Sequence, residues 1–265
     1  MLSNEQRNLF KTFGFLVLHR VFTPQEIDEI RRESDRLLLE NRQGKPFSGT
    51  RRQSVVPFFE HSPVLRQVME DDRIYQLGID LLGPNFILSA TEGNLHVGDT
   101  QWHGGGPEAE VVPHIKIAFY LEPTTRDTGA LRIIPGSNFP EFRQHLQPLT
   151  AQYKNPTAKP FGLSGEEMPC HVFESEPGDI GMFSEYTWHA AFGGASGRSQ
   201  HAINFMANPA TDEQVAHLQD LYAQWTYGLH PPEELVNSDR PRLRGMVSKL
   251  VELGFEPPPP FPIFT

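Results

Sequence analysis

Cysteine is almost missing from this chain: Cys170 stands alone in 265 residues. One thiol excludes an intramolecular disulfide framework and a cysteine-based zinc knot, and it suits a reducing cytosol. Cys170 itself reads as a small apolar residue. Basic residues are also scarce, with 23 Lys and Arg against 33 Asp and Glu and a formal net charge of −10. That balance argues against a nucleic-acid polymer as partner while leaving room for a local basic pocket. No apolar run approaches membrane-spanning length, so no membrane partner is expected. The opening residues Met1 to Gln6 are polar and lack the basic and apolar regions of a signal peptide. A cytoplasmic location is the expectation. No internal repeat is visible, and nothing in the sequence reports on oligomeric state.

What the chain does hold is turn formers and bulky core residues: 24 Pro, 22 Gly and 19 Phe. Abundant turns favour a strand-rich body over a helix bundle. Ser3 caps a first helix reaching about Phe13, and Phe15–Leu18 reads as a short strand. Thr23-Pro24-Gln25-Glu26 is a capping box with proline at the first helical position, and Ile27, Ile30, Leu37 and Leu38 follow at helical spacing. Residues 44–63 read as loop and 64–82 as one helix, stopped by Gly83-Pro84. A short strand then begins at Phe86, and Asn94–Val97 continues it or forms the next one. Strict alternation from His114 to Leu121 places Ile115, Ile117, Phe119 and Leu121 on one face and His114, Lys116, Ala118 and Tyr120 on the other. Further strands are expected at 130–134, 180–183 and 201–206. Helices follow Thr211 and Pro241, and Pro257–Pro260 reads as a stiff polyproline tail. Helices, strands, then helices predict a single, mainly β domain over residues 1–265. Its expected core is a double-stranded β-helix (jelly roll, cupin-like) at 86–208, between helical flanks at 1–85 and 209–265.

Three separated elements carry the chemistry. Trp102-His103 follows one expected strand, Trp188-His189 follows another, and Arg198 precedes the strand at His201. Neutral imidazole is a good Fe(II) ligand, and two such groups converging from different strands suit a jelly-roll interior. An arginine fork can hold a dicarboxylate through paired, charge-assisted hydrogen bonds. Each is weak alone, since a lone histidine is more often structural and a lone arginine more often a surface charge.

The framing residues strengthen the case. Asn94-Leu-His-Val-Gly98-Asp99-Thr100-Gln-Trp102-His103 resembles the first-histidine segment of the phytanoyl-CoA dioxygenase-like Fe(II)/2-oxoglutarate enzymes. So do His114–Leu121, Asp127–Ser137, and the stretch from Pro177-Gly178-Asp179 through His189 to Arg198. The resemblance covers nearly the whole chain. It implies that His103 and His189 bind iron and that Arg198 holds the distal carboxylate of 2-oxoglutarate, with Thr100 and Lys116 as secondary candidates to assist. It also implies O₂ as oxidant and a small-molecule substrate.

The departure is at Gly105. Hydroxylating members carry Asp two residues after the first histidine. A small residue there resembles the Fe(II)/2-oxoglutarate halogenases, where chloride or bromide occupies the vacated position on iron. Glycine removes both the bulk and the charge of a carboxylate, and Gly104 and Gly106 add free backbone N–H groups. Three alternatives stay open beside halogenation: a substitute carboxylate from Asp99 or Glu108 that preserves hydroxylation, a fold retained for binding alone, and a chance loss of aspartate. Arg51 and Arg52 suggest a substrate that carries phosphate, such as a nucleotide, with a solvated loop as the plainer explanation. Trp102 and Trp188 are expected to wall the metal pocket, although aromatic core packing alone would explain both, and His201 is expected to be a core histidine.

Overall fold

Strand alternation sorts this chain into two antiparallel sheets that enclose a polar interior. The structure, a computed structural model, describes residues 1–104, 111–226 and 228–258. In chain order the N-terminal elements are α1 (Asn4–Phe13), β1 (Phe15–Leu18), α2 (Pro24–Asn41), β2 (Gln53–Val55), α3 (Pro63–Glu70) and α4 (Asp72–Leu82). The strands β3 (Ile87–His96), β4 (Thr100–His103), β5 (His114–Phe119) and β6 (Leu131–Ile133) follow. The short helices α5 (Pro140–His145) and α6 (Ala151–Lys154) lead to β7 (His171–Phe173), β8 (Ile180–Ser184), β9 (His189–Ala191) and β10 (Arg198–Met206). Last come α7 (Asp212–Gln224), α8 (Glu233–Val236) and α9 (Pro241–Glu252).

The larger sheet runs β1-β8-β5-β10-β3-β2 and the smaller β4-β9-β6-β7, an antiparallel sandwich of the jelly-roll kind. Ile115, Ile117, Phe119 and Leu121 join residues of α2, α3, α4 and α9 in the main core, so the helices cover the outer face of the large sheet. The opposite face of β5 turns inward, where Ala118 and Tyr120 meet Leu131, Ile133, Phe173 and Phe183. Both N-terminal capping boxes form, at Ser3 and at Thr23. His201 is fully buried among Phe58, Phe59 and Phe119, as a core histidine. No helix among the described residues is long and apolar enough to cross a membrane.

Two local readings change, and an open one is decided. The expected helix over 64–82 is two helices, because Asp71 leaves helical geometry and its side chain accepts from Arg73 N–H to start α4. The expected loop over 44–63 contains β2, paired with Leu95, Asn94 and Gly93 of β3, and a single 3₁₀ turn at Phe59–His61. Between the two options at Asn94 the continuous one holds, as the ten-residue strand β3. Of the proline run, Pro257 and Pro258 are described without regular structure, while Pro259 and Pro260 lie outside the described residues.

Glu60, in the 3₁₀ turn, supplies a test of the core. Its carboxyl is fully buried and accepts from the Thr91 hydroxyl, which in turn accepts from Phe58 N–H and Phe59 N–H at 2.8 and 3.0 Å. Burial pushes its pKa up from 4.5 to about 7. Folded and unfolded chains are both protonated below pH 4.5. Between 4.5 and 7 only the unfolded chain has released the proton. Stability therefore falls as pH rises through that window, by up to about 3 kcal/mol. Glu60→Gln keeps an acceptor for Thr91 and removes the titration. Chemical denaturation at pH 5 and pH 8 should show a smaller loss of stability in the variant. Identical losses in both proteins would contradict the assignment.

Candidate active site

The two candidate metal histidines face each other because β4 and β9 are paired neighbours. His103 lies directly opposite His189, and their rings stand 3.9 Å apart between centroids. Each imidazole is oriented in the same way. The Nδ1 of His103 lies 2.9 Å from the carbonyl of Gln101, and that of His189 lies 2.9 Å from the carbonyl of Thr187. A carbonyl oxygen only accepts, so both Nδ1 atoms carry the proton and both Nε2 atoms keep a free lone pair. Burial lowers both pKa values, that of His189 most strongly, and the Lys116 charge adds to the effect. Two neutral imidazoles with fixed rings and open Nε2 atoms are a donor pair that suits Fe(II).

Arg198 begins β10 opposite His96 of β3. Its side chain is buried, and neither Nε nor Nη2 has a hydrogen-bond partner. A buried guanidinium with idle donors is costly unless a ligand supplies the acceptors. The neighbouring chain is shaped around it: Gly129, at φ +91°, would place a Cβ 2.4 Å from Arg198 Nε. Tyr120 presents its ring 5.9 Å from the guanidinium carbon. These groups fit the carboxylate end of a dicarboxylate.

Both features open into one cavity of about 240 Å³. Thr100, Lys116 and Arg52 line it together with His103, His189 and Arg198. Lys116 is not idle: its Nζ lies 2.9 Å from Glu92 and 3.2 Å from Glu185. Burial opposes its charge, but Glu185 and Glu92 outweigh that and raise its pKa. Lys116 in turn holds Glu92 down at about 2 against the upward push of burial. His96 is driven to about 3 by burial and by the nearby Arg52 and Arg198, so it stays neutral, with Nε2 buried and unpartnered.

Other candidates lie elsewhere. Trp102 and Trp188 do not wall the cavity. Adjacent residues on a strand point to opposite faces, so each tryptophan packs on the far side of the small sheet with Ile134, Leu146 and Leu149. Their indole N–H groups donate to the carbonyls of Gly165 and Arg143. Arg51 is exposed and does not line the cavity. Asp99 does not line the cavity, and its Oδ1 accepts from Gly193 N–H at 2.8 Å. Gly105, Gly106 and Glu108 lie outside the described residues. Glu92, His96, Tyr120, Glu185 and Gln200 were not singled out from the sequence, although the inward alternation of β5 already placed Tyr120 beside Lys116.

Residues 10–202, most of the chain, match the phytanoyl-CoA dioxygenase (PhyH) family. The chain belongs to that family. This phytanoyl-CoA dioxygenase relative is accordingly an oxygenase-type enzyme, and solved structures agree with its fold. HygX from Streptomyces hygroscopicus, with nickel and 2-oxoglutarate bound, is 21% identical over 80% of this chain and 90% of its own, with a TM-score of 0.61. SnoK, a non-heme alpha-ketoglutarate-dependent carbocyclase from nogalamycin biosynthesis, is 18% identical over 83% and 91%, with a TM-score of 0.59. EctD from S. alaskensis with bound Fe is 18% identical over 78% and 77%, with a TM-score of 0.58. No curated protein sequence matches the chain.

Proposed function

We propose that this family member is an Fe(II)- and 2-oxoglutarate-dependent halogenase acting on an unactivated carbon of a small molecule. One observation carries the reading. Among the described residues, no third His, Cys, Asp or Glu joins His103 and His189 in a group able to hold a metal. Asp99, the nearest alternative in sequence, holds the Gly193 N–H and does not line the cavity. At the place where the hydroxylating relatives carry aspartate, this chain has Gly105. With no carboxylate grouped with the two imidazoles among the described residues, and glycine at position 105, a position is left for an exogenous anion, and chloride or bromide would supply the missing charge.

In this reading His103 and His189 hold the iron through Nε2, and Arg198 binds the distal carboxylate of 2-oxoglutarate, with Thr100 beside it. Bound together, iron and 2-oxoglutarate supply an O₂-driven oxidation that the side chains cannot perform themselves. The sum balances. A substrate C–H, 2-oxoglutarate, O₂, chloride and one proton become C–Cl, succinate, CO₂ and water. The protein's own part is to fix the imidazoles, neutralise the co-substrate and hold the substrate so that halogen is delivered in preference to hydroxyl.

Anaerobic titration of Fe(II) and 2-oxoglutarate into metal-free protein tests this without knowledge of the substrate. A visible charge-transfer band should form, and it should shift or tighten when chloride is added. A band indifferent to chloride would overturn the halogenase reading in favour of hydroxylation with a carboxylate supplied from elsewhere. No band under any condition would overturn the oxygenase reading of this site and leave a jelly roll that only binds.

A further inference from the structure

Among the described residues, Arg52 and Arg198 are the cavity cations with no carboxylate within hydrogen-bonding distance. Lys116 is gripped by Glu92 and Glu185, and Arg198 faces the co-substrate end. Arg52, just before β2, donates from Nη2 to Asn94 Oδ1 at 2.8 Å. Its distance to Glu92 Oε2 is 3.8 Å, beyond hydrogen-bonding range, and Glu92 is already committed to Lys116. The Arg52 side chain is 43% exposed while still lining the cavity, so the rest of its donor fork opens on the mouth.

Tyr153 of α6 stands beside the cavity without lining it. Its ring meets His103 edge-on at 6.1 Å between centroids, and the residue is 57% exposed. Tyr153 therefore presents a partly exposed aromatic face next to a candidate metal ligand. The cavity, at about 240 Å³, falls below the roughly 300–1,000 Å³ usual for ligand pockets. It must also admit 2-oxoglutarate, so most of a substrate's body has to sit at this mouth.

We propose that Arg52 and Tyr153 form a substrate-anchoring subsite for a small molecule bearing an oxyanion, a carboxylate or a phosphate. The guanidinium fork takes two oxygens of the anion, the Tyr153 ring flanks the substrate's body, and the reacting carbon points inward to His103 and His189. Arg51 takes no part, since its side chain does not line the cavity. The proposal rests on the oxygenase reading for which end of the substrate reacts, but binding at the mouth is measured without turnover.

The test is calorimetric titration of the full-length protein, anaerobic and saturated with Fe(II) and 2-oxoglutarate so that Arg198 is occupied. The probes are phenyl phosphate, benzoate and neutral benzyl alcohol. At least one anionic probe should bind and the alcohol should not, and the better anion identifies the substrate's group. Arg52→Gln should weaken that binding roughly ten- to a hundredfold, and Arg52→Lys should restore part of it. Both variants should keep the charge-transfer band, which reports intact iron and co-substrate sites. The proposal is overturned if neither anion binds the wild type, or if Arg52→Gln binds as tightly. If no band forms, the oxygenase reading fails at that step. The same probes are then titrated into metal-free protein, with Arg198→Gln separating the two arginines, so the anchoring proposal still stands or falls on Arg52.

Discussion

Arg198→Gln should weaken 2-oxoglutarate binding by roughly two to three orders of magnitude while leaving the ligand-free protein as stable as the wild type or more so. The two halves of this expectation have one cause. Two donors of Arg198 are buried without partners, so in the absence of co-substrate the guanidinium is an uncompensated buried charge. Removing such a charge relieves about 1–3 kcal/mol of unsatisfied desolvation. With 2-oxoglutarate present the same charge would become half of a buried pair, and deleting one partner of a buried pair costs about 3–5 kcal/mol. Thermal unfolding with and without Fe(II) and 2-oxoglutarate separates these effects. The wild type should gain stability from the ligands and the variant little or none. A companion change tests the cradle. Gly129→Ala would drive a Cβ to 2.4 Å from Arg198 Nε at a φ of +91° that L-residues rarely adopt. It should therefore weaken 2-oxoglutarate binding with Arg198 itself intact. The assignment fails if Arg198→Gln destabilises the ligand-free protein and keeps its affinity for the co-substrate.

The sequence made the frame of this molecule legible, and the shortfalls have common physical roots. The strand β5 was readable because one of its faces is wholly apolar and the other lines the cavity, which gives a clean period of two. The strand β3 leaves its continuity open in sequence because Glu92, Asn94 and His96 alternate with apolar or small residues. Polar residues turned to an internal cavity look, in sequence, like a possible break in an apolar run. For the tryptophans the core-packing alternative holds, because a residue next to a cavity-facing histidine on a strand points the other way. What no local pattern reveals is the binding of Lys116 by Glu92 and Glu185, which join from three separate strands or strand ends only when the sheet forms. The pairing that sets His103 against His189 is likewise a property of the small sheet. The family's spacing pointed to those two residues, but their register is visible only in the fold.

Gly105→Asp should abolish halogenation, and this expectation rests on the proposed reading of the site. An aspartate at this position would be tethered beside His103 and would compete with free chloride for the same place on the metal. A tethered ligand has already lost the translational freedom that a free anion must still surrender, so the carboxylate should win even at high chloride. Halogenated product should fall below detection, the charge-transfer band should lose its response to chloride, and Fe(II) should bind more tightly. Gly104 supplies the contrast, because it is a packing glycine. A Cβ there would meet the Thr187 carbonyl and the Trp188 Cα, both at 3.1 Å, across the β4–β9 pair. Gly104→Ala should therefore weaken metal binding by displacing His103, without creating a ligand or removing the chloride response of whatever iron still binds. If the two substitutions behaved alike, the loss in Gly105→Asp would be steric and the anion argument would lose its support. If halogenation survived Gly105→Asp, halide could not be occupying the position on iron that the missing carboxylate leaves.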